Sequence, residues 1–393
     1  MKKTSKIAFV GDVHIGNHKR HAGAYTAGIN DRCWAVFVSL EDAIEHAGRS
    51  ECDALVVLGD LFDSPNPSPG MFSVTQDILN KHPTVIIQGN HDQASDAPLH
   101  SALGPLRCVA DVVSEPQVLE FDGVDLIAVP FQSGKCKDWL RKSVENLCTG
   151  QQTTSRVLAF HAGIVDDSTP QFMKDTDAAI TVQELSKLCY DFGIDAAFAG
   201  HWHNPKVWTE ETFFVQEDKA KQVSLVQAGA LAPTGWNNEG MDYGNFYTYD
   251  TGQPKNKRLS VDAERISGPR FITINVGDDV SILKGVPRLR EAPAVYVRIR
   301  ADEHEAELAK EIIKAAISAG IVVSGEILYD TSETNAAARD AASKTRSSKT
   351  LEEAIVHYTE KMPLGEFVDI ENQPEARLRI RELVTQFLAE GEK

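Results

Sequence analysis

The sequence predicts an α/β protein whose helices cover a central sheet, followed by a small α+β module and a pair of C-terminal amphipathic helices. Three observations carry this expectation. Short runs that are apolar at every position recur from residue 1 to 250, the pattern of strands buried on both faces. Amphipathic stretches of helical period lie between them. Most of the runs stop at a glycine or tight turn that carries Asp, Asn or His.

In chain order, Ile7–Val10, Ala54–Leu58, Val85–Ile87, Val124–Val129, Val157–Phe160 and Ala196–Phe198 are expected strands. Helices are expected between them, among them Cys33–Ala47, Phe72–Asn80 and Val182–Tyr190, where apolar side chains return every three or four positions. Val223–Val226, Phe246–Tyr249 and Phe271–Val276 read as further strands, with a polar loop over 251–258. From residue 270 to 330 the order is strand, strand (AVYVRIR), helix (Glu303–Ala319), strand (IVVSGEIL). Residues 332–349 are small and polar and read as a linker or a weak helix. Thr350 and Glu353 then make a capping box for a helix with Leu351, Ala354, Ile355, Tyr358 and Met362 on one face. A second helix carries Ala376, Ile380, Leu383, Val384 and Phe387 on one face. The divisions fall at 1–265, 266–331, 332–349 and 350–393.

Composition excludes several function classes. A chain of 393 residues is too long for one typical domain. A formal charge of −17 argues against coating nucleic acid by bulk electrostatics, although bound divalent ions invert the sign of a carboxylate-rich pocket. The six cysteines are scattered without a CxxC, as expected of reduced thiols rather than a disulfide frame or zinc knot. Lys2, Lys3 and Lys6 precede only the short apolar run IAFV, too little for a signal peptide, and no later stretch approaches a membrane span. A cytoplasmic protein without a membrane partner is expected.

The chemistry sits at the strand ends. They carry Gly11-Asp-Val-His-Ile-Gly16, Gly59-Asp-Leu-Phe-Asp63, Gly89-Asn-His-Asp92, His161-Ala-Gly163 and Gly200-His-Trp-His203. In an open α/β sheet the carboxyl ends of the strands form one edge, where ligands bind. Asp12, His14, Asp60, Asn90, His161, His201 and His203 are thereby delivered to one place. These oxygen and nitrogen donors lack sulfur and suit Mn, Fe, Zn or similar divalent ions. Seven donors exceed the needs of one ion and suit two that share a carboxylate. In extended chain, residues two apart face the same way, so Asp12 with His14 and His201 with His203 can converge. Adjacent Asn90 and His91 cannot both do so, which leaves His91 for another task.

The ordered set DxH, GDxxD, GNHD, H, GHxH resembles the calcineurin-like metallophosphoesterase superfamily, over residues 12 to 203. DVHIG together with GDLFDSPNPSP closely resembles the SbcD-type nuclease subunits that process DNA double-strand breaks, phage recombination versions included. Serine/threonine phosphatases of the superfamily instead carry Arg after the second Asp of GDxxD, and GNHE in place of GNHD. Here Ser64 holds the Arg position, which favours a diester substrate.

The resemblance implies a sandwich of mixed β-sheets flanked by helices, a small α+β capping domain and a C-terminal helix–loop–helix. It implies two divalent ions, manganese first among them: one on Asp12, His14, Asp60 and His203, the other on Asp60, Asn90, His161 and His201. His91 would contact the scissile phosphate or protonate the leaving 3′-oxygen, and Asp63 would orient His91. DNA is the implied substrate, cut as an exonuclease or endonuclease. An SbcC-type, SMC-like ATPase is the implied partner, held by the C-terminal helices through Leu351, Ile355, Tyr358, Ile380, Leu383 and Phe387. The competing expectation is that these helices pack on the protein's own body or form a homodimer seam. His18, Lys19 and Arg20 form a candidate basic lip for DNA phosphates, or a solvated loop. Trp236 is a candidate base-stacking residue, with packing in a turn or the core as the simpler expectation. A phosphatase or small-molecule phosphodiesterase on the same site is the alternative function.

Overall fold

The computed structural model describes residues 4–18, 25–95, 100–134, 136–149, 155–174, 176–208, 223–236, 243–262, 266, 268–278, 295–302 and 304–329. The chain divides into two units, Met1–Ile299 with Glu307–Ile327 and Arg300–Ala306 with Leu328–Lys393. Few residues of the second are described, and the sheets and helices that position the site belong to the first. The expected linker at 332–349 and the expected helices of 350–393, with all six partner-binding candidates, lie outside the described residues.

Six strands build one sheet in the spatial order Leu259–Val261, Tyr247–Asp250, Lys6–Val10, Ala54–Val57, Thr84–Ile87, Asp111–Val113. The last four are mutually parallel, and Tyr247–Asp250 runs antiparallel to Lys6–Val10. A second six-stranded sheet has the order Lys206–Trp208, Ser224–Gln227, Ile194–Gly200, Ser155–His161, Val124–Val129, Gln117–Phe121. Its inner four strands are parallel and both edge strands antiparallel.

Strand alternation assigns each residue to a layer. Ile7, Phe9 and Val56 of the first sheet meet Ala159, Phe198 and Val226 of the second in a buried inter-sheet core. At its centre the Phe9 and Phe198 rings stack with centroids 3.8 Å apart and planes 2° from parallel. The opposite faces are covered by helices. Ala8, Val10 and Val57 pack on Val36, Leu40 and Ile44 of the helix Asp31–Arg49. Leu158, Ala197 and Ala199 pack with Leu140 of Cys136–Leu147 and Leu185 of Val182–Asp191. The layers therefore run helix, sheet, sheet, helix. Asn30 caps the first of these helices through Cys33 N, and Thr181 with Glu184 forms a full capping box on the last.

The expected strands and helices of residues 1–278 are present within a few residues of their expected limits. The two facing sheets are the sandwich that the resemblance implies. The apolar runs by themselves suggested only one central sheet. A strand apolar on both sides carries the same pattern whether its second face meets a helix or another sheet. The short edge strands Asp111–Val113, Lys206–Trp208 and Leu259–Val261 were not anticipated, because edges are brief and partly wet. The downstream module is a three-stranded sheet of Arg270–Asn275, Val295–Ala301 and Ser324–Tyr329 with the helix Ala306–Ser318, in the expected order.

Phe198→Ala, which removes one ring of the stacked pair from the inter-sheet core, is expected to lower unfolding free energy by about 3–5 kcal/mol in urea titration.

Candidate metal centre

The carboxyl ends of both sheets open on one edge, and every expected ligand reaches it. Asp12 and His14 follow the strand Lys6–Val10, Asp60 follows Ala54–Val57, and Asn90 follows Thr84–Ile87. The second sheet supplies His161 as the last residue of its strand, and His201 and His203 just past Ile194–Gly200. Asp12, His14, Asp60 and His161 are buried, while Asn90, His201 and His203 are half-buried.

The backbone here is strained. Five non-glycine residues among those described have positive φ, and three are site residues: His14 (55°), Asp60 (49°) and His201 (84°). Such conformations cost on the order of 1–3 kcal/mol each and persist only where surrounding contacts hold them. Those contacts are visible. Val13 N and His14 N both donate to the Asp60 carbonyl, at 3.0 and 2.9 Å. His201 N donates to Asp12 Oδ1 at 2.8 Å, and His91 N to Asp60 Oδ1 at 2.8 Å. Two glycines permit this closeness. A β-carbon on Gly59 would lie 2.0 Å from His161 Nδ1, and one on Gly89 would lie 2.2 Å from Asp60 Oδ1.

The donor atoms fall into two sets joined by Asp60. His161 Nε2 lies 3.4 Å from Asp60 Oδ2 and 2.9 Å from Asn90 Oδ1, and His201 Nδ1 lies 2.9 Å from the same Asn90 oxygen. On the other side His14 Nε2 lies 3.8 Å from Asp60 Oδ2 and 2.9 Å from His203 Nε2. Asp12 Oδ1 is 3.6 Å from His161 Nδ1, and its Oδ2 is buried without a hydrogen-bond partner.

Charge in this buried space is arranged to receive a cation. Burial opposes ionisation of Asp60, yet the neighbouring His161 and His14 hold it well below the usual carboxylate range. Burial likewise opposes charge on His161, but Asp60 and Asp12 push its pKa up to about 9. Burial, with the charge on His161, pushes His201 down to about 3. Two buried carboxylates thus draw a positive charge between them. His161 Nδ1 donates to the Leu58 carbonyl at 2.7 Å, which fixes the ring with Nε2 toward the site. The orphaned Asp12 oxygen, the converging imidazole nitrogens and the sulfur-free donor set fit divalent metal ions.

Ligand atoms of Asp60, His161 and His201 lie within 4.8 Å of one another, and so do those of His14, Asp63 and His91. The second grouping was not expected, since Asp63 and His91 were read as standing outside the metal shell. A correction follows for Asp63. His91 Nδ1 donates to the backbone carbonyl of Asp63 at 2.9 Å, not to its carboxylate. The carboxylate turns to His14 Nδ1 (3.4 Å) and His18 Nδ1 (3.7 Å). The bridge between Ile15 and Phe62 aligns the two loops and presents the side chain of Asp63 to the first of them.

His18 is no open lip. Its side chain is 12 % exposed, its Nε2 sits 3.2 Å from the His14 carbonyl, and burial lowers its pKa. Lys19 and Arg20 lie outside the described residues. Trp236 packs within the fold, with the Arg298 guanidinium 4.1 Å over its ring and Phe271 against it at 5.2 Å. Sequence reasoning passed over Asp92. This fully buried residue accepts from Gly89 N and Phe62 N at 2.9 Å and Leu61 N at 3.3 Å, lacing two ligand loops together. Burial and the nearby Asp60 push its pKa up to about 6. Its signal was the aspartate that closes GNHD.

A family model for calcineurin-like phosphoesterase matches residues 5–205. The chain is a calcineurin-like phosphoesterase. The family comprises metal-dependent hydrolases of phosphoester bonds that use two divalent ions. Among solved structures, this phosphoesterase is similar to a purple acid phosphatase from yellow lupin (Lupinus luteus) seeds, at 12% identity and a TM-score of 0.40, covering 64% of this chain and 50% of that one. It is also similar to a 5′-nucleotidase-type protein from Staphylococcus aureus, at 14% identity and a TM-score of 0.38, covering 66% of this chain and 53% of that one. The phosphoesterase thus spans about half the length of both structures. Among its described residues no helix is long and apolar enough to cross a membrane.

Asp60→Asn is expected to reduce bound metal by more than one equivalent, because Asp60 Oδ2 faces both donor sets; elemental analysis after dialysis against Mn²⁺ measures it.

Proposed function

We propose that this phosphoesterase is a two-metal-dependent DNA nuclease that hydrolyses phosphodiester bonds in repair or recombination, with manganese as its ion and an SbcC-type ATPase as its partner. The observation that carries the diester reading is that, among the described residues, the position after Asp63 offers no guanidinium to grip a phosphomonoester. Ser64, exposed, follows Asp63. Arg32, whose charge reaches His18, is committed to the Thr234 carbonyl and to the rings of Phe271 and Tyr296. A monoester dianion gains from a bidentate arginine, whereas a singly charged diester loses less without one.

When bound, the two ions supply a water of lowered pKa and neutralise charge on the phosphate. In this reading Asp60 spans both positions, Asp12, His14 and His203 complete one, and Asn90, His161 and His201 complete the other. His91 is exposed at the mouth, and its Nδ1 is taken by the Asp63 carbonyl. Its Nε2 is then the atom that contacts the phosphate or gives a proton to the leaving 3′-oxygen. Asp63 acts through its backbone on His91 and through its carboxylate on His14, as a positioning residue. The helices expected within 350–393 would dock on the ATPase.

His91→Ala is expected to lower cleavage of linear DNA with Mn²⁺ by about 10²- to 10⁴-fold while the metal content stays at the wild-type value. Normal cutting by this variant would reject the role given to His91. Turnover of linear DNA, a nitrophenyl diester and a phosphomonoester should fall in that order. A preference for the monoester would instead assign the site to a phosphatase.

A further inference from the structure

The geometry points to a nucleobase pocket beside the metal centre, in the cavity that shares His201 and His203 with it; this rests on the nucleic-acid reading of the site and deepens it. The cavity measures about 430 Å³, within the range of small-ligand sites. Because the same two histidines line cavity and centre, a group in the cavity is contiguous with a phosphate at the centre.

Two indoles line it, and both are anchored. Trp202 lies so close to Gly163 that a β-carbon there would sit 2.3 Å from its ring. Trp208, a buried residue, donates Nε1–H to Asp166 Oδ2 at 2.9 Å and carries the Lys206 ammonium 5.3 Å from its ring centroid. It thus forms the floor of the wall, while the half-buried Trp202 is the more open indole. Ile164, Pro170 and Met173 add apolar wall. Planar, preorganised apolar surface suits a flat heteroaromatic ring, which stacks without regard to base identity.

Charge selects between a base and a second phosphate. Lys206 is the one lysine or arginine among the lining residues, and its Nζ is held 2.5 Å from Asp166 Oδ2 and 2.9 Å from Ser168 Oγ. Among the described lining residues, that pairing offsets the one lysine or arginine charge a phosphate could meet. An uncharged base gains apolar contact there, and the exposed Asn204 amide offers a donor and an acceptor to its edge.

The test compares a short single-stranded oligonucleotide with the same strand carrying a tetrahydrofuran abasic residue next to the scissile phosphate, both with Mn²⁺. The abasic residue should raise KM about tenfold and leave kcat nearly unchanged. Trp208→Ala and Met173→Ala should raise KM for the intact strand and not for the abasic one. Equal KM for the two strands with the wild-type protein, an arm that needs no variant, would overturn the pocket. Tryptophan fluorescence gives an arm independent of cleavage: dAMP should quench it and deoxyribose 5-phosphate should not. Equal quenching by both also overturns the proposal. If neither strand is cut, the nuclease reading fails while the quenching result still decides the pocket.

Discussion

Asp60 is the group on which the site depends. Its carbonyl takes two amides of the first ligand loop, its Oδ1 takes the amide of His91, and its Oδ2 faces His14 and His161. To do this it adopts a left-handed backbone conformation that a non-glycine residue rarely holds. The glycines on either side of the arrangement, Gly59 and Gly89, exist to let a ring and a carboxylate approach the chain. Local propensity has been set aside here in favour of where one carboxylate must stand.

The surrounding fold is what makes that strain bearable. Strands buried on both faces give four rigid layers, and the ligand loops are short continuations of those strands. Asp92 then fastens the second loop to the third from below, out of reach of solvent. A site assembled this way needs little reorganisation when charge arrives.

Much of this was legible in the sequence for a physical reason. Strands such as Ile7–Val10 and Ala196–Phe198 are apolar at every position, and that pattern survives any tertiary context that buries both faces. The seven donors were legible because each follows such a strand directly. What could not be read depends on the relation between elements. No periodicity tells a sheet neighbour from a helix neighbour, so the second sheet was invisible in the runs. The orientation of Asp63 is set by the bridge between Ile15 and Phe62, a contact 47 positions apart in the chain. The anchoring of His18 against His14 and Asp63 is likewise tertiary.

The Leu58 carbonyl has a consequence for how the protein holds together. It directly follows the strand Ala54–Val57 of the first sheet, and the ring it receives, His161, belongs to the second. The ligand set as a whole is divided the same way, with Asp12, His14, Asp60 and Asn90 on one sheet and His161, His201 and His203 on the other. Cations shared between those halves would act as a clasp across the open end of the sandwich, and ion occupancy would then be coupled to how tightly the two leaves are joined.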